Sequence, residues 1–215
     1  MTQPGDSEAR FDRRLELLAT TLLALAAVAT AWASYQSARW HGKQAEAQSA
    51  SIAARVESTR HANVANRQVQ IDVELFSQWI DAKANGEDRL ADFYRTRFRE
   101  EFVPAFEAWI ATNPLETKGA PLSPFAMPEY RLAATMEAEA REKQAAELSQ
   151  AVKTNIQRAD NYTLAVVLFA MTLFFAGIST KLHERSSRVA ILAIGYALFL
   201  GTAIWIATFP VSVAL

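Results

Sequence analysis

Along this chain the hydrophobic and polar positions separate into three uncharged apolar runs and one polar middle. The runs are residues 17–35 (LLATTLLALAAVATAWASY), 162–180 (YTLAVVLFAMTLFFAGIST) and 189–209 (VAILAIGYALFLGTAIWIATF). None of them contains an acid or a base. At the rise of an α-helix the first covers about 28 Å, close to the hydrocarbon thickness of a bilayer. Three such runs would over-fill the core of a small soluble domain. The pattern therefore predicts three transmembrane helices, placed at 15–35, 162–180 and 189–209. A short N-terminal segment (1–14), a loop (181–188) and a C-terminal tail (210–215) complete the membrane part. The first run, with Arg13 and Arg14 before it and AWA at 31–33, also has the outline of a cleavable secretory signal. Its full spanning length favours an uncleaved anchor.

Residues 36–161 are expected to lie outside the membrane and to be helical. Residues 36–84 have helical composition, and ANGED (84–88) supplies a C-cap followed by an acidic first turn. A second helix is predicted over 87–112, bent at Pro104. The stretch 113–128 holds four of the seven prolines and reads as a loop. From Pro128 a third helix is expected to run to Asp160 and on into the second span. The first of these helices would rise about 73 Å, and the other two would return about 39 and 50 Å. These lengths predict an antiparallel hairpin, a coiled-coil-like stalk. Its distal core is assigned to Val69, Val73, Phe76 and Ile80 against Phe93, Phe98, Phe102 and Phe106. Its proximal part is Ala-rich, with Ile52 and Val56 facing Leu148, Val152 and Ile156. So little apolar area gives a monomeric stalk weak support at about 25 cal/mol per Å².

Basic residues set the orientation. Arg10, Arg13 and Arg14 precede the first span, and Lys181, Arg185 and Arg188 lie in the loop between the second and third. Both clusters fall on one side if the N-terminus is cytoplasmic, residues 36–161 are periplasmic and the C-terminus is periplasmic. The expected location is the inner membrane of a bacterium. Arg39, Lys43, Lys153 and Arg158 depart from this rule, since they flank the outer ends of the spans.

The join between apolar and polar sequence, WASYQSARW (32–40), places Trp32, Tyr35, Gln36, Arg39 and Trp40 on one helical face. Trp32 and Tyr35 suit the aromatic belt of a membrane interface, with Tyr162 and Trp205 at matching ends of the other spans. Arg39 can snorkel to head groups. Trp40 lies about 12 Å beyond Trp32, so lipid anchoring explains it poorly. Docking of Gln36, Arg39 and Trp40 on residues 150–162 or on a neighbouring subunit is the alternative. Small residues recur every four positions at Ala27 and Ala31 and at Ala193, Ala197 and Gly201. Such rows serve close helix packing in lipid, within one chain or between chains.

Composition adds mainly exclusions. The net charge of −1 gives no reason to expect nucleic acid as a partner. With no cysteine, disulfides, thiolate metal sites and cysteine nucleophiles are ruled out. No glycine-rich phosphate loop points to a nucleotide. His41 and His61 are about 30 Å apart on one helix and His183 lies in the loop, so no metal site or cofactor is expected. The arginines and glutamates of RTRFREE (95–101) are expected to form ion pairs, including pairs to Asp72 and Glu74. Glu137–Arg141 reads as an ordinary helix pair. No constellation suits a general acid and base, so no enzyme is expected. No ionisable group lies at membrane depth, which argues against ion-coupled transport. Thr20, Thr21, Thr30 and Ser34 could line an oligomeric pore, although such hydroxyls more often bond their own helix backbone or a neighbouring helix.

The blocks LELLATTLLALAAVATAWASYQSARW (15–40) and ADNYTLAVVLFAMTLFFAGISTKL (159–182) resemble a loose group of uncharacterised bacterial three-span membrane proteins. Those have one N-terminal span, a helical extramembrane segment and a C-terminal span pair. The resemblance covers about a quarter of the chain and implies topology alone. The expectation is an all-α membrane protein acting as a non-catalytic scaffold or accessory subunit. It would work in the lipid bilayer as a homo-oligomer or within a larger membrane complex. An oligomeric pore and a periplasmic sensor with a separate signalling partner are the other classes.

Overall fold

The computed structural model describes the backbone of residues 4–114 and 116–212, and side chains from Arg10 onward. The far ends of the expected N-terminal segment and C-terminal tail lie outside the described residues. Among those described, the chain is all-α, with five helices: α1 (Pro4–Ala84), α2 (Asp88–Arg95), α3 (Val103–Ala111), α4 (Ala133–Ser179) and α5 (Arg185–Ala207). A 3₁₀ turn occupies Pro124–Ala126. Three helices, α1, α4 and α5, are long and apolar enough to cross a membrane. Only 22%, 33% and 17% of their apolar windows are buried inside the chain. A soluble core would bury those residues, whereas lipid solvates them.

The chain divides into two compact units, one of Met1–Gln48 with Ser149–Leu215 and one of Ser49–Leu148. In the first unit three helices pack through small and aromatic residues. One cluster joins Leu15, Ala19 and Leu22 to Ala176 and Leu192, and another joins Ala33 and Trp40 to Ala159, Tyr162, Ala165 and Phe169. The close approach of α5 falls at Gly195, where an added Cβ would meet a Leu22 methyl at 3.2 Å and the Phe175 Cβ at 3.5 Å. The Tyr196 hydroxyl donates to the Leu18 carbonyl at 3.0 Å. Asp12 pairs with Arg185 (3.4 Å) and Arg188 (3.6 Å), so the start of α1 and the α4–α5 connection lie at the same end of this unit.

Packing within the chain does not use the expected small-residue rows. Ala27, Ala31, Ala193, Ala197 and Gly201 are all exposed. The inward face of α1 is instead the row Ala19, Leu22, Ala26 and Ala33, turned by about a residue from Ala27 and Ala31. Repeats of small residues mark surfaces that permit close approach, but they do not say which of several such surfaces is used.

In the second unit α1 and α4 run antiparallel along a seam of small side chains. Ser51 donates to the Ala145 carbonyl (3.0 Å) and Ser58 to the Ala138 carbonyl (2.9 Å), so a step forward on one helix is a step back on the other. Ser51, Ala54 and Ala65 are buried on α1, and Ala138 and Ala145 on α4. The expected anchors Ile52 and Val56 lie outside this seam, 52% and 60% exposed.

Beyond the seam, α1 stops at Gly86, which takes a left-handed φ of +75°. The Glu87 and Gly86 amides reach back to the Ala82 and Lys83 carbonyls, the paired bonds of a glycine-closed helix end. The single helix expected over 87–112 is two helices. Residues 96–102 form turns, and Pro104 sits in the first turn of α3, where its missing N–H costs nothing. α4 likewise begins at Ala133 rather than at Pro128.

The break lets α3 fold back so that Phe98, Phe102, Phe106 and Trp109 surround Phe76 and Trp79. Edge-to-face contacts dominate, with centroids 5.2 Å apart for Phe76–Trp109, 4.8 Å for Trp79–Phe106 and 4.9 Å for Phe98–Phe106. Phe125, from the 3₁₀ turn, stacks on Phe102, and the Trp109 indole donates to the Pro121 carbonyl at 2.7 Å, tying the connecting loop to this core. Val69 and Ile80 are half-buried. Val73 and Phe93, expected in the core, are exposed at 42% and 47%. The inward row of α1 is Ala65, Asp72, Phe76 and Trp79, and the position that Val73 was expected to fill belongs to a buried aspartate.

Phe76→Ala is expected to cost about 3–5 kcal/mol of stability, as a truncation in a closed aromatic core. Val73→Ala should change stability by about 0.5 kcal/mol or less. Denaturant unfolding followed by tryptophan fluorescence measures both, and equal losses would contradict this assignment of the inward face.

Candidate functional site

The face carried by WASYQSARW divides in two. Trp32 and Tyr35 pair with centroids 6.0 Å apart, and each is 44% exposed. Gln36, Ser37 and Trp40 turn inward. The hundred-degree step of the helix separates the two groups, although all lie within one broad arc. Arg39 is half-buried between them.

Gln36 is fully buried and grips the backbone of Ser212. Its amide nitrogen donates to the Ser212 carbonyl (3.3 Å), and its carbonyl accepts from the Ser212 N–H (2.9 Å). A glutamine side chain presents the donor and acceptor of a peptide group, so it closes both backbone valences of a segment that has left its helix. Tyr162, also buried, donates to the Pro210 carbonyl at 3.3 Å and meets Phe209 edge-on at 5.8 Å. Half-buried Trp205 packs on Phe209 at 4.8 Å. Ser37 donates to the Ala159 carbonyl (3.2 Å) and shares a 2.9 Å contact with the Thr163 hydroxyl. These bonds tie α1, α4 and the segment after α5 together at the end opposite Asp12.

Trp40 sits in this joint at 4% exposure. Two cations lie over its ring, the Lys43 ammonium 4.9 Å and the Arg158 guanidinium 4.5 Å from the centroid. Its indole nitrogen and the Arg39 Nε are both buried without an acceptor. The sequence singled out Trp40 because lipid explained it poorly and offered residues 150–162 as an alternative partner; Trp40 does pack there, on Arg158, Ala159 and Tyr162, while nothing in the sequence disclosed the role of Ser212.

The second unit holds one buried charged group. Asp72 is fully enclosed, and its Oδ2 accepts from Arg99 (3.1 Å) and from the Tyr130 hydroxyl (2.9 Å). Arg99 also pairs with Glu101, whose Oε1 accepts the Ala133 N–H at 3.1 Å at the start of α4. The expected Arg99–Asp72 pair is thus formed. Glu74 meets only Gln78, Arg95 pairs with Glu107, and Arg97 lies over the Phe93 ring. Burial pushes the Asp72 carboxyl up from its ordinary value, against the pull of Tyr130 and Arg99. Glu101 is held below its ordinary value, first by the Ala133 N–H and then by Arg99. Burial and the Asp72 contact push the Tyr130 phenol up. The network joins α1, the α2–α3 connection and the head of α4, and leaves only Asp72 Oδ1 among its buried oxygens without a partner.

A cleft of about 770 Å³ opens beside the aromatic core, between Trp79, Phe106, Trp109 and Ile110. Its two rim cations are already partnered, Lys83 with Asp88 at 2.7 Å and Arg95 with Glu107 at 3.8 Å, and Asp92 and Glu116 also line it. Among the described residues no group of His, Asp or Glu converges to hold a metal. His41 contacts Gln44 and His61 lies near Glu57. Comparison with protein-family models, with curated proteins and with solved structures found no match.

Two expectations follow from these contacts. Gln36→Leu leaves the Ser212 N–H and carbonyl buried without partners, at a cost of about 1–3 kcal/mol. It should release the end of the chain to labelling of a Ser212→Cys reporter, which stays protected with Gln36 in place. Glu101 has a lowered value in the fold, so its stabilisation is present above the ordinary glutamate range and lost as pH falls through the lowered value. Glu101→Gln should flatten that acid loss in melts followed by circular dichroism. An unchanged acid limb would remove Glu101 from the account.

Proposed function

We propose that this chain is a non-catalytic integral membrane scaffold that assembles with a second copy through the α1–α4 stalk outside the bilayer. The observation that carries the reading is the outward pair Ile52 and Val56. One turn apart on α1, they are more than half exposed, while the seam beside them is filled by serine and alanine. Full burial of such a side chain is worth about 1.5–3 kcal/mol, and each of these forgoes roughly half of that.

Charge supports a second copy as the occupant. The groove around Ile52 and Val56 is lined by Arg55, Arg60 and Arg67, and Glu57 is the one acid on that stretch. Over 133–148, α4 carries Glu137, Glu139, Glu142 and Glu147 against Arg141 and Lys143. A two-fold pairing would set the basic groove of one copy on the acidic helix of the other, the self-complementary arrangement of a symmetric dimer. The exposed row Ala193, Ala197 and Gly201 offers a matching surface in lipid.

The topology that goes with this reading puts the N-terminus and the 181–184 connection in the cytoplasm and the stalk in the bacterial periplasm. The Asp12 pairs with Arg185 and Arg188 support a common side for the two basic clusters. A pore draws less support, because Thr20 and Thr30 donate their hydroxyls to the Glu16 and Ala26 carbonyls of their own helix.

Native mass spectrometry in a mild detergent tests the proposal. The wild type is expected as a dimer or higher oligomer, and Ile52→Glu with Val56→Glu as a monomer of unchanged helix content. A wild type that stays monomeric across a wide concentration range would overturn it.

A further inference from the structure

We propose that the cations around Trp40 form a binding site for the phosphate of an anionic phospholipid. Lys43 on α1 and Arg158 on α4 lie over one indole, 4.9 and 4.5 Å from its centroid, and Arg39 is the neighbouring residue of Trp40 on α1. Among the described residues none of the three makes an ion pair, while Arg99, Arg141, Arg185 and Arg188 all do. Like charges gathered without a carboxylate repel one another, and the ring faces offset only part of that.

The missing component is an acceptor. The Trp40 indole N–H, in a ring with two cations over it, is a buried donor with nothing to receive it, and so is the Nε–H of the adjacent Arg39. Buried donors are rarely left unmatched. A phosphodiester brings several oxygen acceptors and one negative charge, and guanidinium groups grip it through paired N–H bonds.

Position identifies the source as lipid. Trp40 lies five residues beyond Tyr35, about 7.5 Å along the helix, and Arg158 lies about 6 Å before Tyr162. Trp32 and Tyr35, half exposed just below, mark the end of the apolar surface. The cluster is therefore at head-group depth. The site also accounts for Arg39, Lys43 and Arg158, three of the four basic residues at this end of the spans that the charge rule for orientation leaves unexplained. It rests on α1 and α4 being membrane spans and stands whether or not the chain self-assembles.

The test is lipid retention measured by native mass spectrometry. Wild-type protein is equilibrated with mixed micelles of phosphatidylglycerol and phosphatidylethanolamine at equal mole fraction. It is expected to retain the anionic lipid with a preference of roughly tenfold or more. Arg39→Gln with Arg158→Gln should bring that preference close to one, while Lys153→Gln, outside the cluster, leaves it intact. Trp40→Phe keeps the ring but removes the N–H and should lower retention by a smaller factor. Helix content and melting temperature are measured on each variant. Where the double variant melts early, Trp40→Phe together with Lys43→Gln provides the comparison. A preference that survives in the folded variants overturns the assignment. Release of the bound lipid by millimolar inorganic phosphate, or equal retention of both lipids by the wild type, overturns lipid as the ligand.

Discussion

Alanine and serine at the facing positions of α1 and α4 let the two backbones come close enough for hydroxyls to reach carbonyls across the gap. Ser37, Ser51 and Ser58 each make that bond, to Ala159, Ala145 and Ala138. Such a seam is weak per turn, because an alanine methyl buries little area. It holds because each unit adds aromatic anchors of its own. Trp40, Tyr162 and Phe169 serve the first unit, and Phe76, Phe102 and Phe106 the second.

A seam of small residues also decides what faces outward. With the contact surface taken by Ser51 and Ala54, the larger Ile52 and Val56 have no place inside. In the first unit Gly195 occupies the tight crossing, and Ala193, Ala197 and Gly201 are left on the outer surface. The features that support assembly are therefore by-products of how closely the chain packs on itself. The Trp40 cluster has a different origin. There a large ring closes the joint and draws two cations over it, which leaves donors that the protein itself does not satisfy.

Much of the core of the second unit was legible as an aromatic run. Phe98, Phe102, Phe106 and Phe76 are buried, as their helical spacing implies. The phase of α1 was not. Val73 is the more apolar residue and Asp72 the buried one, because Arg99 and Tyr130 arrive from other parts of the chain to donate to its Oδ2, although its Oδ1 is left without a partner. Hydropathy assigns each residue its own preference and takes no account of partners. The interruption at 96–102 was hidden for the same reason. Its residues are acceptable in a helix, and what breaks the helix is the gain from bringing four aromatic side chains around Phe76.

By itself the sequence determined the apolar runs, the helical class and the glycine-closed end at Gly86. Each follows from local physics: hydrophobic length, backbone propensity and the freedom of glycine at positive φ. The tertiary structure decided which face of each helix is inward, that Gln36 holds Ser212, that Asp72 is enclosed and that Arg158 meets Trp40. Those outcomes depend on contacts between residues more than a hundred positions apart, or on a buried charge finding its partners. No local pattern carries either kind of information.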